Sequence, residues 1–214
     1  MVLSAHRQLY PILDCDTLRA RGCPVIDAAE AMLDGGAEIL QYRHKDFWSR
    51  DVFEEAQRVG ELCRARGAWF IVNDRADYAR MLGAGVHLGQ DDLAPRAARA
   101  LLGEHAVIGY STHNAAQLAA AASEPVDYVA LGPVFGTVSK RNPDPAIGVE
   151  RLREWRGMVP QPLVAIGGIT RGKAREVWDA GADLVAVIGD LCPPVCDAKS
   201  IGERVGEWRR LTRT

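Results

Sequence analysis

In the stretch "EILQYRHK", Gln41, Arg43 and Lys45 stand two positions apart, directly behind an apolar run. Side chains of an extended strand alternate between its faces, so these three share one face if the strand runs that far. One amide and two cations on a common face make a site for an anion. Two acidic clusters also follow apolar runs, Asn73-Asp74-Arg75 after "WFIV" and Gln90-Asp91-Asp92 after "GVHLG". Asp74 and Asp92 could share a divalent cation, and carboxylates with an amide oxygen are hard ligands suited to Mg²⁺. Acids in "GQDDLAP" are equally at home at a helix N-terminus, where the helix dipole welcomes negative charge.

The stretch "GTVSK" places Thr137, Ser139 and Lys140 close together, a set able to grip a phosphate or to form a polar surface turn. It is not a nucleotide P-loop, because the GxxxxGK[ST] spacing is absent. Gly167-Gly168 follows "PLVAI", and Gly189-Asp190 follows "LVAVI". Glycines at such turns let an anion approach main-chain N–H groups. Ser111, Thr112 and His113 follow "AVIGY", where a hydroxyl could cap the next helix and His113 could carry a proton. His87, inside "GVHLG", suits packing and hydrogen bonding within the fold better than reaction.

The elements that must position these groups recur along the chain. Eight short apolar runs alternate with amphipathic ones: 9–14, 38–43, 69–74, 85–89, 106–111, 128–134, 162–168 and 184–190. Nearly continuous apolar strands belong to parallel sheets covered on both faces. Between them, "DAAEAMLDGGA" carries Ala28, Met32 and Leu33 on one face and stops at Gly35-Gly36. Ser49 is the expected N-cap of the next helix, with Val52, Phe53, Ala56, Val59 and Cys63 as its buried stripe and Gly67 as its stop. "AKSIGERVGEWRRLTRT" closes the chain as a helix. Eight strand–helix units in 214 residues predict one (β/α)8 TIM barrel spanning 1–214. The alternative is an open doubly wound sheet, but no GxGxxG follows the first strand. In a barrel all the loops named above meet at the C-terminal mouth.

Composition excludes several function classes. A net charge of −2 with dispersed basic residues offers no field for nucleic acid. No apolar run approaches the ~20 residues of a membrane span, and the N-terminus lacks a signal-peptide layout. The five cysteines have poor spacing for zinc or redox motifs and are expected to be reduced thiols in a cytoplasmic protein. A homo-oligomer is compatible with this composition, which does not set the oligomeric state.

With these residues assembled, the chain resembles thiamine-phosphate synthase, also called thiamine-phosphate pyrophosphorylase, nearly end to end. The ordered motifs are "QYRHK", "VNDRAD", "GVHLGQDD", "STHN", "GPVFGTVSK" and "IGGI". The resemblance implies a TIM barrel that joins a hydroxymethylpyrimidine diphosphate to hydroxyethylthiazole phosphate, or its carboxylated form. Products would be thiamine phosphate and pyrophosphate, with Mg²⁺ required. By position, Gln41, Arg43, Lys45 and Asn73 would hold the pyrimidine diphosphate, and Asp74 and Asp92 would bind Mg²⁺. Ser111 would meet the pyrimidine amine or a diphosphate oxygen, and Lys140 would reach the diphosphate. Thr137, Ser139 and the backbone of Gly168, Ile188 and Gly189 would hold the thiazole phosphate. Lys45, Ser111 and Lys140 are the implied catalytic set. The chain departs from the family pattern at His44, Gly136 and Gly189, and in "DCD" after the first strand. Two alternatives share the barrel: a thiazole tautomerase, with His113 as its acid/base, and a non-catalytic regulator that binds a thiamine precursor.

Overall fold

A computed structural model describes residues 7–137 and 144–213 of the chain. Ser139 and Lys140 lie outside the described residues. The eight apolar runs form parallel strands β1 (Gln8–Asp14), β2 (Ile39–Arg43), β3 (Trp69–Asn73), β4 (Gly85–Leu88), β5 (Ile108–Thr112), β6 (Tyr128–Leu131), β7 (Leu163–Ile166) and β8 (Leu184–Val187). Each pairs with the next, and β8 returns to β1, so the sheet closes into a barrel. Closure settles the choice against an open doubly wound sheet.

Helices cover the outside: α1 (Cys15–Ala20), α2 (Val25–Asp34), α3 (Arg50–Ala65), α4 (Ala76–Leu82), α5 (Pro95–Leu102), α6 (Ala115–Ala121), α7 (Gly148–Trp155), α8 (Ala174–Asp179) and α9 (Ala198–Thr212). Ser49 caps α3 by accepting from the Val52 N–H at 3.3 Å, and Ala56, Val59 and Cys63 form its buried stripe. Val52 and Phe53, expected in that stripe, are only partly covered. Gly67, at φ +68°, follows the end of α3 in the left-handed turn that glycine adopts without strain. Helix α9 starts on a capping box between Asp197 and Ser200, and buries Ile201, Val205 and Trp208. The short α1 was not legible as a separate element. It forms because Asp14, the last residue of β1, caps it by accepting from the Thr17 N–H at 2.9 Å. All five cysteines are buried free thiols. Among the described residues no helix is long and apolar enough to cross a membrane.

Two cores result from the alternation of strand side chains. Outward residues pack against the helices. Inward ones, including Ile12, Ile39, Ile71, Ala130, Val164 and Leu184, fill the barrel. Toward the C-terminal ends the inward positions turn polar, and Asp14, Gln41, Asn73 and His87 are buried there. Two inward tyrosines, Tyr10 and Tyr128, lie edge to face within the barrel, ring centroids 5.9 Å apart. Room for Tyr128 comes from Gly109 opposite it in the β5–β6 register, where a Cβ would lie 2.0 Å from the Tyr128 ring. Gly109→Ala therefore overpacks the barrel. We expect a cost of about 1–3 kcal/mol, read as a lower urea midpoint at unchanged m-value. An unchanged midpoint would show that the tyrosine has another niche.

Candidate active site

A cavity of about 890 Å³ opens at the strand C-termini, lined by Gln41, Arg43, Lys45, Asn73, Asp74, Asp92, Ser111, Thr137, Gly168, Ile188 and Gly189. The site residues that the family resemblance implies, apart from Ser139 and Lys140, thus line one space, whereas Thr112 and Arg75 do not line it.

On one side lie the cations. Strand β2 ends at Arg43, so Lys45 reaches the cavity from the loop beyond rather than from an extended strand. Its ammonium donates to Asp74 Oδ2 at 2.5 Å. Arg43 is ion-paired with Asp14, which faces it in the β1–β2 register. Asp14 therefore does two jobs, capping α1 and countering the Arg43 cation at the end of β2. Sequence reasoning missed this residue, whose one visible signal was the acid ending strand one in "DCD".

The two metal candidates meet. Asp74 adopts φ +65°, the one non-glycine residue with positive φ among those described. Aspartate tolerates this region better than most residues. The Asp74 N–H donates to the His87 carbonyl at 2.8 Å and the Arg75 N–H to the Asn73 carbonyl at 2.8 Å, which holds the turn. Asp92 accepts from the Gly89 N–H at 2.7 Å. Burial raises its carboxyl above the ordinary value, and the Asp74 carboxylate within hydrogen-bonding range adds to the shift, against the lowering effects of Gly89 N–H and Lys45. The alternative role for the acids, stabilising a helix start, does not hold: α5 begins at Pro95 and has no acid in its first turn. Asn73 is buried, and its Nδ2 has no partner among the described residues. A buried amide donor left unpaired is costly, so a ligand acceptor there would be favoured.

Across the cavity lies the glycine turn. Gly167 and Gly168 have φ +100° and +61°. A Cβ on Gly168 would sit 2.3 Å from the Gly136 carbonyl oxygen, so glycine is obligatory there. At Gly189 a Cβ meets nothing within 4 Å, so the fold itself does not demand glycine. The adjacent Asp190 is clamped, accepting from Arg171 Nε and Trp208 Nε1, each at 2.9 Å. That clamp steadies the turn carrying Ile188 and Gly189.

A family model described as thiamine monophosphate synthase matches residues 9–191, from the second residue of β1 to beyond the end of β8. The chain belongs to this family. It is 47% identical over 189 residues to a thiamine-phosphate synthase of Koribacter versatilis, covering 86% of this chain and 88% of that protein. It is 40% identical over 193 residues to a thiamine-phosphate synthase of Azorhizobium caulinodans, covering 89% and 90%. Among solved structures, the thiamine phosphate pyrophosphorylase of Pyrococcus furiosus superposes with a TM-score of 0.83 at 31% identity, covering 96% of this chain and 95% of that one.

Within this thiamine monophosphate synthase barrel, two histidines take definite places. His87, read from sequence as packing and hydrogen-bonding within the fold, is buried and hydrogen-bonded as expected, and it also lines the cavity. His113 lines the cavity too, with Nδ1 2.6 Å from the Gly132 carbonyl oxygen. A carbonyl only accepts, so Nδ1 carries the proton that it donates. Neither Ser111 nor Thr112 caps α6. Asn114 does, accepting from the Gln117 N–H at 3.0 Å. Thr112 points outward and donates to the Ala130 carbonyl at 2.9 Å, while Ser111 lines the cavity. Strand alternation separates the two hydroxyls. Gln90, whose amide holds the Ser111 carbonyl at 2.6 Å, was also not singled out as a positioning group.

Proposed function

We propose that the chain joins 4-amino-2-methyl-5-hydroxymethylpyrimidine diphosphate to hydroxyethylthiazole phosphate, or its carboxylated form, giving thiamine phosphate and pyrophosphate. This is a transferase reaction, in keeping with the family. The observation that carries it is one cavity that gathers two kinds of group suited to phosphates: the cations Arg43 and Lys45 beside the Asp74–Asp92 carboxylate pair, and the glycine turn at Gly168. Two phosphorylated substrates, each held by its anion, meet between them.

In this reaction the methylene C–O bond to diphosphate breaks and its electron pair leaves with the diphosphate. The aminopyrimidine ring shares the positive charge that develops on the carbon. The thiazole nitrogen then supplies the lone pair for the new C–N bond. The enzyme's work is to stabilise the leaving anion and to hold the nitrogen in line. Arg43 and Lys45 take the diphosphate, with Lys140 joining them. Asn73 presents its unpaired Nδ2 to the pyrimidine substrate. Thr137, Ser139 and the backbone N–H groups of Gly168, Ile188 and Gly189 hold the thiazole phosphate.

Asp74 and Asp92 suit Mg²⁺. Both are hard oxygen donors, and their mutual repulsion is relieved by a cation between them. Among the described residues no group of three His, Cys, Asp or Glu side chains gathers as a metal site. Two carboxylates, completed by phosphate oxygens and water, match how Mg²⁺ is held beside phosphate substrates. Held by Asp74 and Asp92, Mg²⁺ would supply charge neutralisation for the diphosphate leaving group.

The test is direct. The protein is incubated with both substrates and Mg²⁺, and thiamine phosphate and pyrophosphate are measured. Equimolar appearance of both is expected. Isomerised thiazole phosphate without pyrophosphate would establish the tautomerase instead, and binding without turnover the regulator.

A further inference from the structure

Five polar side chains from five strands form an unbroken hydrogen-bonded path across the barrel interior. Gln41 Nε2 lies 3.0 Å from the Tyr10 hydroxyl. The Tyr10 and Tyr128 hydroxyls are 2.8 Å apart. Tyr128 is 3.0 Å from His87 Nδ1, and His87 Nε2 is 2.8 Å from Ser111 Oγ. Both ends of the path, Gln41 and Ser111, line the cavity, whereas the tyrosines between them are almost fully buried.

Each phenol has a single hydrogen, so the path has a direction. The Gln41 amide donates to Tyr10. Among the described residues Tyr128 is the acceptor in reach of the Tyr10 hydrogen. Tyr128, already accepting, gives its own hydrogen to His87 Nδ1. A neutral imidazole accepting at Nδ1 carries its proton on Nε2, which donates to Ser111. The Ser111 hydrogen is then left for the cavity. With a neutral His87 the links from Tyr10 to Ser111 reverse only together: a Tyr128 hydrogen turned toward Tyr10 needs the imidazole proton on Nδ1 and Ser111 donating to Nε2, and it leaves the Tyr10 hydrogen unused.

We propose that Tyr10 and Tyr128 are positioning residues that lock the polarity of two separated substrate contacts, making Ser111 a donor and the Gln41 Oε1 an acceptor. The inference rests on the transferase reading for its ligand. An aminopyrimidine diphosphate offers amine hydrogens for Gln41, and a ring nitrogen or phosphoryl oxygen for Ser111. The Ser111 contact is thereby assigned to an acceptor on the substrate rather than to its amine. Burial raises both phenol pKa values, so the path stays made of neutral hydroxyls through the physiological range.

The experiment has two arms on the full-length protein. In the first, ¹⁵N NMR of histidine-labelled protein without substrate reads the His87 tautomer, its signals assigned by their loss in His87→Gln. Nε2 is expected to be protonated and Nδ1 bare in the unsubstituted chain. Tyr128→Phe removes the donor to Nδ1 and should release the tautomer. Tyr10→Phe leaves Tyr128 still donating and should leave it in place. Protonated Nδ1 in the unsubstituted chain, or a tautomer indifferent to Tyr128→Phe, would overturn the polarity. In the second arm, each variant should raise KM for the pyrimidine diphosphate roughly two- to tenfold, the worth of one hydrogen bond. KM for the thiazole phosphate should stay near its original value. Equal rises for both substrates would mean general loosening and would overturn the positioning role. Because the first arm needs neither substrate nor turnover, failure of the transferase assay leaves the polarity result standing on its own.

Discussion

Asp92→Asn is expected to lower turnover by about 10²–10³-fold at saturating substrate, the scale of losing charge stabilisation on a departing anion. The substitution preserves shape. An asparagine oxygen can still accept from the Gly89 N–H, which now reaches Asp92 Oδ2 at 2.7 Å. What disappears is one of two facing carboxylates, and with it half of the carboxylate pair proposed to hold the divalent cation. Thiazole phosphate binding should persist, since its proposed cradle lies across the cavity.

Stability should move the other way. Burial and the neighbouring Asp74 raise the Asp92 carboxyl above its ordinary value in the folded protein. A raised acid contributes stability that is full at acid pH and is lost as pH rises through the folded-state value. Without metal at neutral pH, Asp92→Asn should therefore melt at or above the temperature of the unsubstituted chain. The difference should close as pH falls into the carboxylate range. Added Mg²⁺ should raise Tm for the unsubstituted chain through linkage and do little for the variant. Unchanged turnover at limiting Mg²⁺, or an equal Tm gain in both proteins, would refute the metal assignment.

Gly168→Ala is the second large effect. The residue sits at φ +61°, and its Cβ would lie 2.3 Å from the Gly136 carbonyl oxygen and 3.0 Å from Phe135 Cβ. The first obstacle is backbone, which cannot swing aside as a side-chain tip can. Left-handed strain and overpacking together should cost roughly 2–5 kcal/mol. The loops after β6 and β7 would be pushed apart. KM for the thiazole phosphate should rise well above that for the pyrimidine diphosphate. Gly189→Ala is the matched comparison for stability, because a Cβ there meets nothing within 4 Å. Equal destabilisation by the two substitutions would show that the steric account of Gly168 is wrong.

Much of the site was legible because its signals are local. Gln41 and Arg43 alternate behind an apolar run, and alternation alone places them on one face. The eight strand–helix units and their glycine stops announce a barrel, and a barrel brings its C-terminal loops together. Other features were hidden. Tyr10 and Tyr128 read as ordinary members of apolar strands, because nothing nearby in sequence hints that their hydroxyls meet. Asp14 read as the end of a strand, although it caps α1 and pairs with Arg43. His87 read as a packing and hydrogen-bonding residue, which it is, and only its place on the cavity wall was hidden. Lys45 would share the strand face only if the strand ran on to it, and β2 stops two residues earlier.

The chain's own residues determine the barrel, the apolar or polar character of each strand position, and the pool of cations, acids and glycines at the mouth. These follow from periodicity and backbone preference, which act over a few residues. Only the closed tertiary structure decides which side chains become partners. Tyr10 and Tyr128 are separated by 118 positions, and Arg43 and Asp14 by 29. Such pairs depend on strand register and on closure of β8 onto β1. That is why direction in the buried path, and the repulsion between Asp74 and Asp92, appear only once the barrel is complete.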